Sequence, residues 1–213
     1  MRQKLIEAIS NIREKEALLL ARDMLVSGAA AETVLDAARE AMVLIGTRFE
    51  RKDFFLPELI IGGEILKQVA DLVKPSLKEN ASAADSLGKV IIGTVAGDIH
   101  DIGKDIVAFM LDCNRFEVHD LGVNVTADRF VQAVREQRPD ILAMSALMTT
   151  TITQQRLVIE RLAEEGLRMG VKVIVGGGGV TQEFADSIGA DGYDATAPGA
   201  ARLARRLLVA EPA

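Results

Sequence analysis

The chain has 213 residues, of which 49% are hydrophobic, and it carries a formal net charge of −6. The length allows one large domain or two modest ones, and the composition is sufficient for a buried core. The negative charge without a basic stripe argues against nucleic-acid binding, and the lack of an uncharged run of about 18 apolar residues or a signal-peptide core argues against a membrane span.

The first part of the chain, residues 1–78, is rich in strong helix formers and has little strand character. Apolar residues recur at helical spacing through residues 31–49. Pro57 suits the first turn of a further helix, which we expect to end near Val73. These features predict a four-helix bundle.

A short segment, residues 79–88, follows this helical part. It consists mostly of small and polar residues and shows no periodicity. Such a composition is typical of a linker between domains. We therefore expect a helical domain at 1–78 and a second domain at 89–213.

Short apolar runs alternate with helical runs throughout the second domain. The predicted strands are 89–94, 116–120, 140–145, 171–175 and a weak fifth at 192–196. The predicted helices are 104–114, 126–138, 151–169, 181–188 and 199–209. Five such β/α units predict a Rossmann- or flavodoxin-like domain, with a mostly parallel five-stranded sheet covered by helices on both faces.

Two residues of chemically reactive types are expected to have structural roles. Cys113 lies among apolar residues in the middle of a predicted helix, which indicates a buried thiol rather than a nucleophile. As the single cysteine it cannot form an internal disulfide, and this favours a cytoplasmic location. His119 lies within the second predicted strand, where we expect a structural or solvated side chain.

The loop after the first predicted strand contains an aspartate and a histidine. Asp98 and His100 are two residues apart, so on an extended segment they point to the same side. One carboxylate oxygen can then bind one imidazole nitrogen and leave the other nitrogen free for a metal. Gly97 and Gly103 would let a large flat ligand approach the backbone. The alternative is a helix-capping aspartate beside a solvated histidine.

The loops after the third and fourth predicted strands are also unusual. The segment Ser145–Thr151 contains four hydroxyl side chains, and Gly176–Gly179 is a run of four glycines. The hydroxyls are alternatively helix caps, and the glycines are alternatively a phosphate loop, although no G-x-G-x-x-G pattern or Walker lysine is present. The carboxyl ends of parallel strands lie along one edge of a sheet, so all three loops can contact one ligand.

These motifs occur in the order Asp98-x-His100-x-x-Gly103, Ser145-x-Leu147 and Gly176-Gly177, separated by 41 and 28 residues. The pattern resembles the signature of cobalamin-binding domains that take the cofactor base-off, His-on. The resemblance implies a corrinoid cofactor, as methylcobalamin and cob(I)alamin, with His100 as the cobalt ligand. The other cofactor-binding residues that it implies in this domain are Gly97, Asp98, Ile99, Asp101, Ile102, Gly103, Ser145, Leu147, Thr149, Thr151, Gly176, Gly177 and Gly178.

The resemblance also implies roles for the hydroxyl-rich loop. In the cobalamin family the equivalent serine, with a leucine and a threonine, lines the slot for the displaced nucleotide tail, which implies Ser145, Leu147 and Thr149 here. A further hydroxyl in that family completes a relay with the histidine and the aspartate. By position, Thr151 is the candidate for this hydroxyl.

The segments Gly46–Phe49 and Phe54–Pro57 resemble the cap bundle that precedes the cobalamin domain in methionine synthase and in methanogen-type corrinoid proteins. In that cap an aromatic residue and a leucine shield the methyl-bearing face of the corrin. By position, these residues are Phe49 and Leu56. The alternative is that the aromatic residues of these segments belong to the bundle core.

The resemblance covers nearly the whole chain and leaves little room for a catalytic module. It implies a free-standing corrinoid carrier, non-catalytic alone, of a methylamine, methanol, betaine or aryl-ether methyltransferase system. A substrate-specific methyltransferase would load the methyl group, and a second methyltransferase would pass it to a thiol or folate acceptor. A reductive activase is a further expected partner. Asp98 and Thr151 would tune the basicity of His100, so that proton uptake accompanies loss of the cobalt ligand.

The sequence leaves three alternatives to the carrier. The main one is an adenosylcobalamin-binding sensor or regulatory module. Such regulators carry a tryptophan and a glutamate-histidine pair in the bundle and add a DNA-binding domain, whereas this chain has no tryptophan and no histidine before His100. The others are a cobalamin subunit of a radical mutase, which does not usually have this cap, and an α/β module without cobalamin.

Overall fold

The computed structural model describes residues 1–73, 75 and 86–208. The chain divides into two compact units, Met1–Asp85 and Ser86–Ala213. Residues 79–85 of the predicted linker lie outside the described residues, and Gly88, its predicted last residue, instead begins a strand. Within the described residues, no helix combines the length and apolarity needed to cross a membrane.

The first unit is helical, as predicted. Its described residues form the four helices α1 (Arg2–Ser10), α2 (Glu14–Val26), α3 (Ala31–Glu50) and α4 (Leu56–Val73). The predicted four-helix bundle is therefore confirmed.

The packing of α3 on α4 explains a glycine in the middle of α4. A Cβ atom at Gly62 would lie 2.6 Å from Cδ1 of Ile45 and 3.2 Å from the sulfur of Met42. Both of these α3 side chains are fully buried. A glycine at this position lowers the helix propensity of α4, but it allows α3 and α4 to approach closely.

The second unit alternates strands and helices. Its strands are β1 (Gly88–Thr94), β2 (Phe116–Asp120), β3 (Ile141–Ser145), β4 (Lys172–Gly176) and β5 (Gly192–Tyr193). Its α-helices are α5 (Ile102–Cys113), α6 (Ala127–Gln137), α7 (Thr153–Glu164), α8 (Gln182–Ser187) and α9 (Ala197–Leu208).

The five strands form one parallel sheet in the order β2-β1-β3-β4-β5, which confirms the predicted fold class. The chain moves outward from β1 to β2 and then returns to β3, so the winding direction reverses between β1 and β3. Right-handed crossovers on either side of this reversal place helices on both faces, and α5 packs with α9 whereas α6 packs with α7. A ligand of such a sheet binds outside the carboxyl ends of the strands at the reversal.

Three predicted details differ from the structure. The fifth strand, predicted at 192–196, covers only Gly192–Tyr193. The helix predicted at 151–169 is shorter, because α7 ends at Glu164 and is followed by Gly166 in a left-handed conformation. Cys113 is buried, as predicted, but it is the last residue of α5 rather than a mid-helix residue.

Candidate functional site

The loops that follow β1, β3 and β4 meet at the carboxyl edge of the sheet. The backbone N–H of Val95 donates to the carbonyl of Ser145 at 3.0 Å, and that of Ala146 donates to the carbonyl of Gly176 at 3.1 Å. The structure thus brings the three motif-bearing loops together. Ser145 is half-buried between its neighbours, whereas Thr149 is exposed.

Asp98 and His100 form a hydrogen-bonded pair in the first of these loops. Oδ1 of Asp98 lies 2.7 Å from Nδ1 of His100 and also accepts the backbone N–H of His100 at 3.1 Å. The Asp98 side chain is fully buried, whereas 48% of the His100 side chain is exposed. Because Nδ1 faces the carboxylate, Nε2 is the imidazole atom left to bind a metal.

The second oxygen of Asp98 joins this loop to the loop after β3. Oδ2 accepts the hydroxyl of Thr151 at 2.6 Å and the backbone N–H groups of Leu147 and Met148 at 2.8 and 3.2 Å. Thr151 is itself buried. The carboxylate is therefore fixed at both oxygens, and it fixes the imidazole in turn.

The hydrogen-bond donors around Asp98 keep its carboxyl group ionised. Burial by itself would raise the pKa of this carboxyl group, but the hydrogen bonds from Thr151, from the imidazole and backbone of His100, and from Leu147 hold the pKa well below its usual value. Asp98 is thus a carboxylate at neutral pH. A carboxylate on Nδ1 favours the tautomer protonated at that atom and increases the basicity of Nε2.

Two further residues, Asn124 and Thr94, hold the backbone of this loop, and neither was predicted from the sequence. Oδ1 of Asn124 accepts the N–H of Gly97 at 2.7 Å, and the N–H of Asn124 donates to the carbonyl of Asp98 at 2.9 Å. The buried hydroxyl of Thr94 donates to the carbonyl of His100 at 2.9 Å. The sequence signal for Asn124 was its place shortly after the strand β2, whose end lies at the same edge.

A buried lysine fixes the helix that follows the loop, and it too was missed as a structural element. The Lys104 side chain is 2% exposed, and its Nζ contacts carboxylate oxygens of Asp105 and of Asp120 at the end of β2. Burial by itself would lower the pKa of Lys104, but the two carboxylates raise it above its usual value. The lysine therefore stays cationic and ties α5 to β2.

Gln155, at the start of α7, ties together the ends of two strands. Its Nε2 donates to the carbonyls of Met144 and Gly176, both at 3.1 Å. Its Oε1 is buried and has no partner among the described residues. Gln155 was not predicted from the sequence.

The predicted glycines differ in what their positions require. Gly177 has φ +118°, and a Cβ there would lie 2.0 Å from the carbonyl oxygen of Ala146. A Cβ at Gly178 would meet only the side chain of Leu147, at 2.6 Å. Gly97 needs its glycine for a φ of +79°, whereas nothing lies within 4 Å of a Cβ at Gly103. The protein's own backbone therefore requires a glycine at Gly177, whereas the space beside Gly103 is open and the approach of a ligand there stays a prediction.

Large apolar side chains flank the imidazole. Ile99 and Ile102 are 71% and 69% exposed, and Leu147 and Met148, whose N–H groups bind Asp98, are 44% and 37% exposed. Asp101, between the two isoleucines, is also exposed. This apolar surface around a half-exposed imidazole suits a broad, flat and largely apolar ligand.

The residues predicted to shield a cofactor lie in the helical unit. Phe49 is half-buried near the end of α3, and Leu56 is 36% exposed at the first position of α4. Phe55 is 66% exposed, so the alternative that it belongs to the bundle core is wrong. Phe54 is half-buried beneath the guanidinium of Arg48, whose central carbon lies 5.2 Å from the ring centroid.

Each of the two units matches a known protein family. Residues 88–202 match the B12 binding domain family, and residues 1–74 match a second B12 binding domain family. The chain belongs to the corrinoid protein family. His119, which lies exposed in β2, is not part of the site.

The relatives of this corrinoid protein span almost its whole length. Trimethylamine corrinoid protein 1 of Methanosarcina acetivorans is 40% identical over 204 residues, which are 95% of this chain and 94% of the relative. The dimethylamine corrinoid protein of Methanosarcina barkeri is 40% identical over 206 residues, which are 97% of this chain and 96% of the relative.

Solved structures agree with this family. A cobalamin-binding protein from Desulfitobacterium hafniense DCB-2 aligns with a TM-score of 0.84 at 31% identity, covering 98% of this chain and 99% of that chain. The methanol:cobalamin methyltransferase complex from Methanosarcina barkeri aligns with a TM-score of 0.80 at 26% identity, covering 98% of this chain and 79% of that chain.

The residues of this corrinoid protein fit a cobalamin. A corrin would bring nitrogen ligands of its own, so one nitrogen from the protein, such as Nε2 of His100, would be enough to hold its cobalt. The imidazole of His100 is half-exposed and held through Nδ1, and exposed apolar side chains lie beside it in sequence and on the loop that binds Asp98. The glycine loop after β4 has no side chains and packs closely on the loop after β3, at the same edge.

Proposed function

We propose that this corrinoid protein carries a methyl group between a substrate-specific methyltransferase and a second methyltransferase, which passes the group to a thiol or folate acceptor. The observation that carries this proposal is the buried Asp98 carboxylate held between Thr151 and the Nδ1 of a half-exposed His100. Bound cobalamin supplies the cobalt that accepts and gives up the methyl group. A methylamine is the proposed methyl source, because the tri- and dimethylamine corrinoid proteins are full-length relatives.

The role of the histidine follows from its two nitrogens. We assign Nε2 of His100 as the axial cobalt ligand, with the cofactor base-off and His-on. Nε2 would hold the cobalt, and the Asp98 carboxylate on Nδ1 would stabilise an imidazolium whenever Nε2 carried a proton instead. The hydroxyl of Thr151 keeps that carboxylate ionised and in place. The triad can therefore couple a change of cobalt ligation to a proton at Nε2.

The remaining proposed contacts divide between the two units. Ser145, Leu147 and Thr149 are proposed to line the slot for the nucleotide tail. Phe49 and Leu56 are proposed to shield the methyl-bearing face, where an apolar cover keeps water away from a reactive centre. Further contacts are proposed for Gly97, Ile99, Asp101, Ile102, Gly103, Gly176, Gly177 and Gly178.

We propose three protein partners: the two methyltransferases and a reductive activase. The solved relative from Methanosarcina barkeri is a complex that includes a methyltransferase, which supports an interaction of this kind. Exposed apolar side chains near His100 also support a surface that a partner protein covers during part of the methyl-transfer cycle.

The test is an absorbance titration of the purified protein loaded with hydroxocobalamin, reduced and then treated with methyl iodide. We expect the wild type to retain the cofactor after desalting, to cycle between reduced and methylated spectra, and to show His ligation. His100→Ala should show a base-off spectrum or lose the cofactor. His119→Ala is the matched control, because this exposed histidine lies in β2, outside the site.

Two results would contradict the proposal. A colourless wild-type protein after desalting would reject cobalamin binding, and an unchanged His-on spectrum in His100→Ala would reject the assigned ligand. A second assay combines the methylated protein with a thiol acceptor and its methyltransferase. Stable retention of adenosylcobalamin without any methyl cycling would instead favour a sensor.

A further inference from the structure

The loop that joins β2 to α6 reaches the His100 loop through Asn124. The side-chain oxygen of Asn124 accepts the N–H of Gly97 at 2.7 Å, although the two residues are 27 positions apart in sequence. The backbone N–H of Asn124 donates to the carbonyl of Asp98 at 2.9 Å. Asn124 therefore binds both ends of the Gly97–Asp98 segment; we call these two hydrogen bonds the Asn124 clamp.

The backbone conformation of Asn124 restricts which residues can form this clamp. Its φ is +54°, in the left-handed region, where asparagine, aspartate and glycine are tolerated much better than other residues. Of these three, glycine has no side-chain oxygen to accept the N–H of Gly97. The position therefore needs an asparagine or an aspartate to satisfy both the conformation and the hydrogen bond.

The segment held by the clamp contains a glycine and Asp98, the carboxylate of the functional pair. Gly97 has φ +79°, and a glycine has more alternative conformations than any other residue. The orientation of the Asp98 carboxylate depends on this backbone, and the half-exposed imidazole of His100 is in turn held by that carboxylate. A looser Gly97–Asp98 segment would therefore leave the imidazole less well directed.

We propose that Asn124 is a positioning residue for the axial histidine, one that acts through Gly97 and Asp98 without touching the cofactor. The inference rests on the proposed role of His100 as the cobalt ligand and deepens it. In this protein the equilibrium between the His-on and His-off states is set partly by a residue on the loop after β2. The clamp favours the His-on state because it reduces the conformational freedom that ligation would otherwise have to remove.

Three variants separate the side chain from the backbone. Asn124→Gly keeps the left-handed conformation and removes the accepting oxygen. Asn124→Asp keeps both. Asn124→Gln keeps the amide but moves its oxygen one methylene further out, and it provides a second test if the glycine variant does not fold. The matched control is Arg138→Gly, a left-handed residue at the end of α6, just before β3 and hence at the opposite edge of the sheet.

Two readouts are measured for each variant. In the cofactor-free protein, amide hydrogen exchange of Gly97 reports the clamp directly. In the protein loaded with methylcobalamin, the absorbance spectrum gives the ratio of His-on to His-off forms at fixed pH. Loss of one hydrogen bond predicts about fivefold faster exchange and an about fivefold lower ratio in Asn124→Gly and Asn124→Gln. Asn124→Asp keeps the accepting oxygen and should match the wild type in the exchange of Gly97, whereas Arg138→Gly should match it in both readouts.

The two readouts distinguish failure of this inference from failure of the proposed function. If the wild type binds methylcobalamin His-on and the glycine and glutamine variants give the same ratio, the inference is wrong. It is also wrong if the Gly97 amide exchanges as fast in Asn124→Asp as in Asn124→Gly, because the accepting oxygen would then not matter. If the wild type never shows a His-on spectrum, the proposed function fails, whatever the amide exchange of Gly97.

Discussion

The carboxylate of Asp98 and the hydroxyl of Thr151 lie 2.6 Å apart in a buried hydrogen bond between residues 53 positions apart in sequence. This bond joins the loop after β1 to the loop after β3, on the two sides of the point where the sheet reverses its winding. The helix α7 begins two residues further on, at Thr153. The Thr151 hydroxyl binds Asp98, and the residue at the N-cap position, Ile152, makes no side-chain cap.

Replacement of this hydroxyl by a methyl group should destabilise the protein. In Thr151→Val the shape is nearly conserved, but a buried carboxylate oxygen loses one donor while keeping two backbone N–H groups. We expect a loss of about 1–2 kcal/mol in the free energy of unfolding, measured by urea denaturation. Thr149→Val removes an exposed hydroxyl from the same loop and should change the free energy of unfolding by less than about 0.5 kcal/mol. Equal losses of unfolding free energy in the two variants would show that the buried hydrogen bond stabilises the fold no more than the exposed hydroxyl does.

The lowered pKa of Asp98 predicts a specific dependence of stability on pH. Because the folded-state pKa lies below the unfolded value of about 4, this carboxylate stabilises the fold fully above that pH, and the contribution is lost as the pH falls further. Urea denaturation of wild type and Asp98→Asn at pH 7, 5 and 3 measures this effect. The stability difference between the two proteins should be largest at pH 7 and shrink at pH 3. A constant difference across this range would contradict the assignment.

The ion pairs of Lys104 predict that removing the lysine costs less stability than removing its two carboxylate partners. Lys104→Met removes a buried charge and leaves two carboxylates whose side chains are 60% and 38% exposed, so water can solvate them. We expect a loss of only about 1 kcal/mol. The double variant Asp105→Ala and Asp120→Ala instead leaves the buried ammonium without its carboxylates and should cost about 3 kcal/mol or more. Urea denaturation of both would reject this account if the lysine variant were the less stable.

The parts of the site that the sequence predicted are those that depend on local order along the chain. Strand ends place three loops at one edge, and a two-residue spacing places Asp98 beside His100. The supports of that pair depend instead on which strands become neighbours. Only the pairing of β2 with β1 brings Asp120 and Asn124 to the start of α5 and to Gly97, and no periodicity in the sequence encodes that pairing.

The three glycines of the site should respond differently to one added methyl group. Gly177→Ala would place Cβ 2.0 Å from a backbone oxygen in a left-handed conformation, so the loop after β4 must move away from the loop after β3. We expect a loss of at least about 2 kcal/mol in the free energy of unfolding and weaker retention of cobalamin.

Gly178→Ala meets only the end of the flexible Leu147 side chain, which can rotate, so its loss should be intermediate. Gly103→Ala lies in the first turn of α5 with open space around it and should be neutral or slightly stabilising, because alanine favours a helix. Urea denaturation and cobalamin retention after desalting measure the series. If Gly103→Ala lost cobalamin while remaining as stable as the wild type, the proposed contact of the ligand with the backbone at Gly103 would be supported; full retention of cobalamin would contradict that contact.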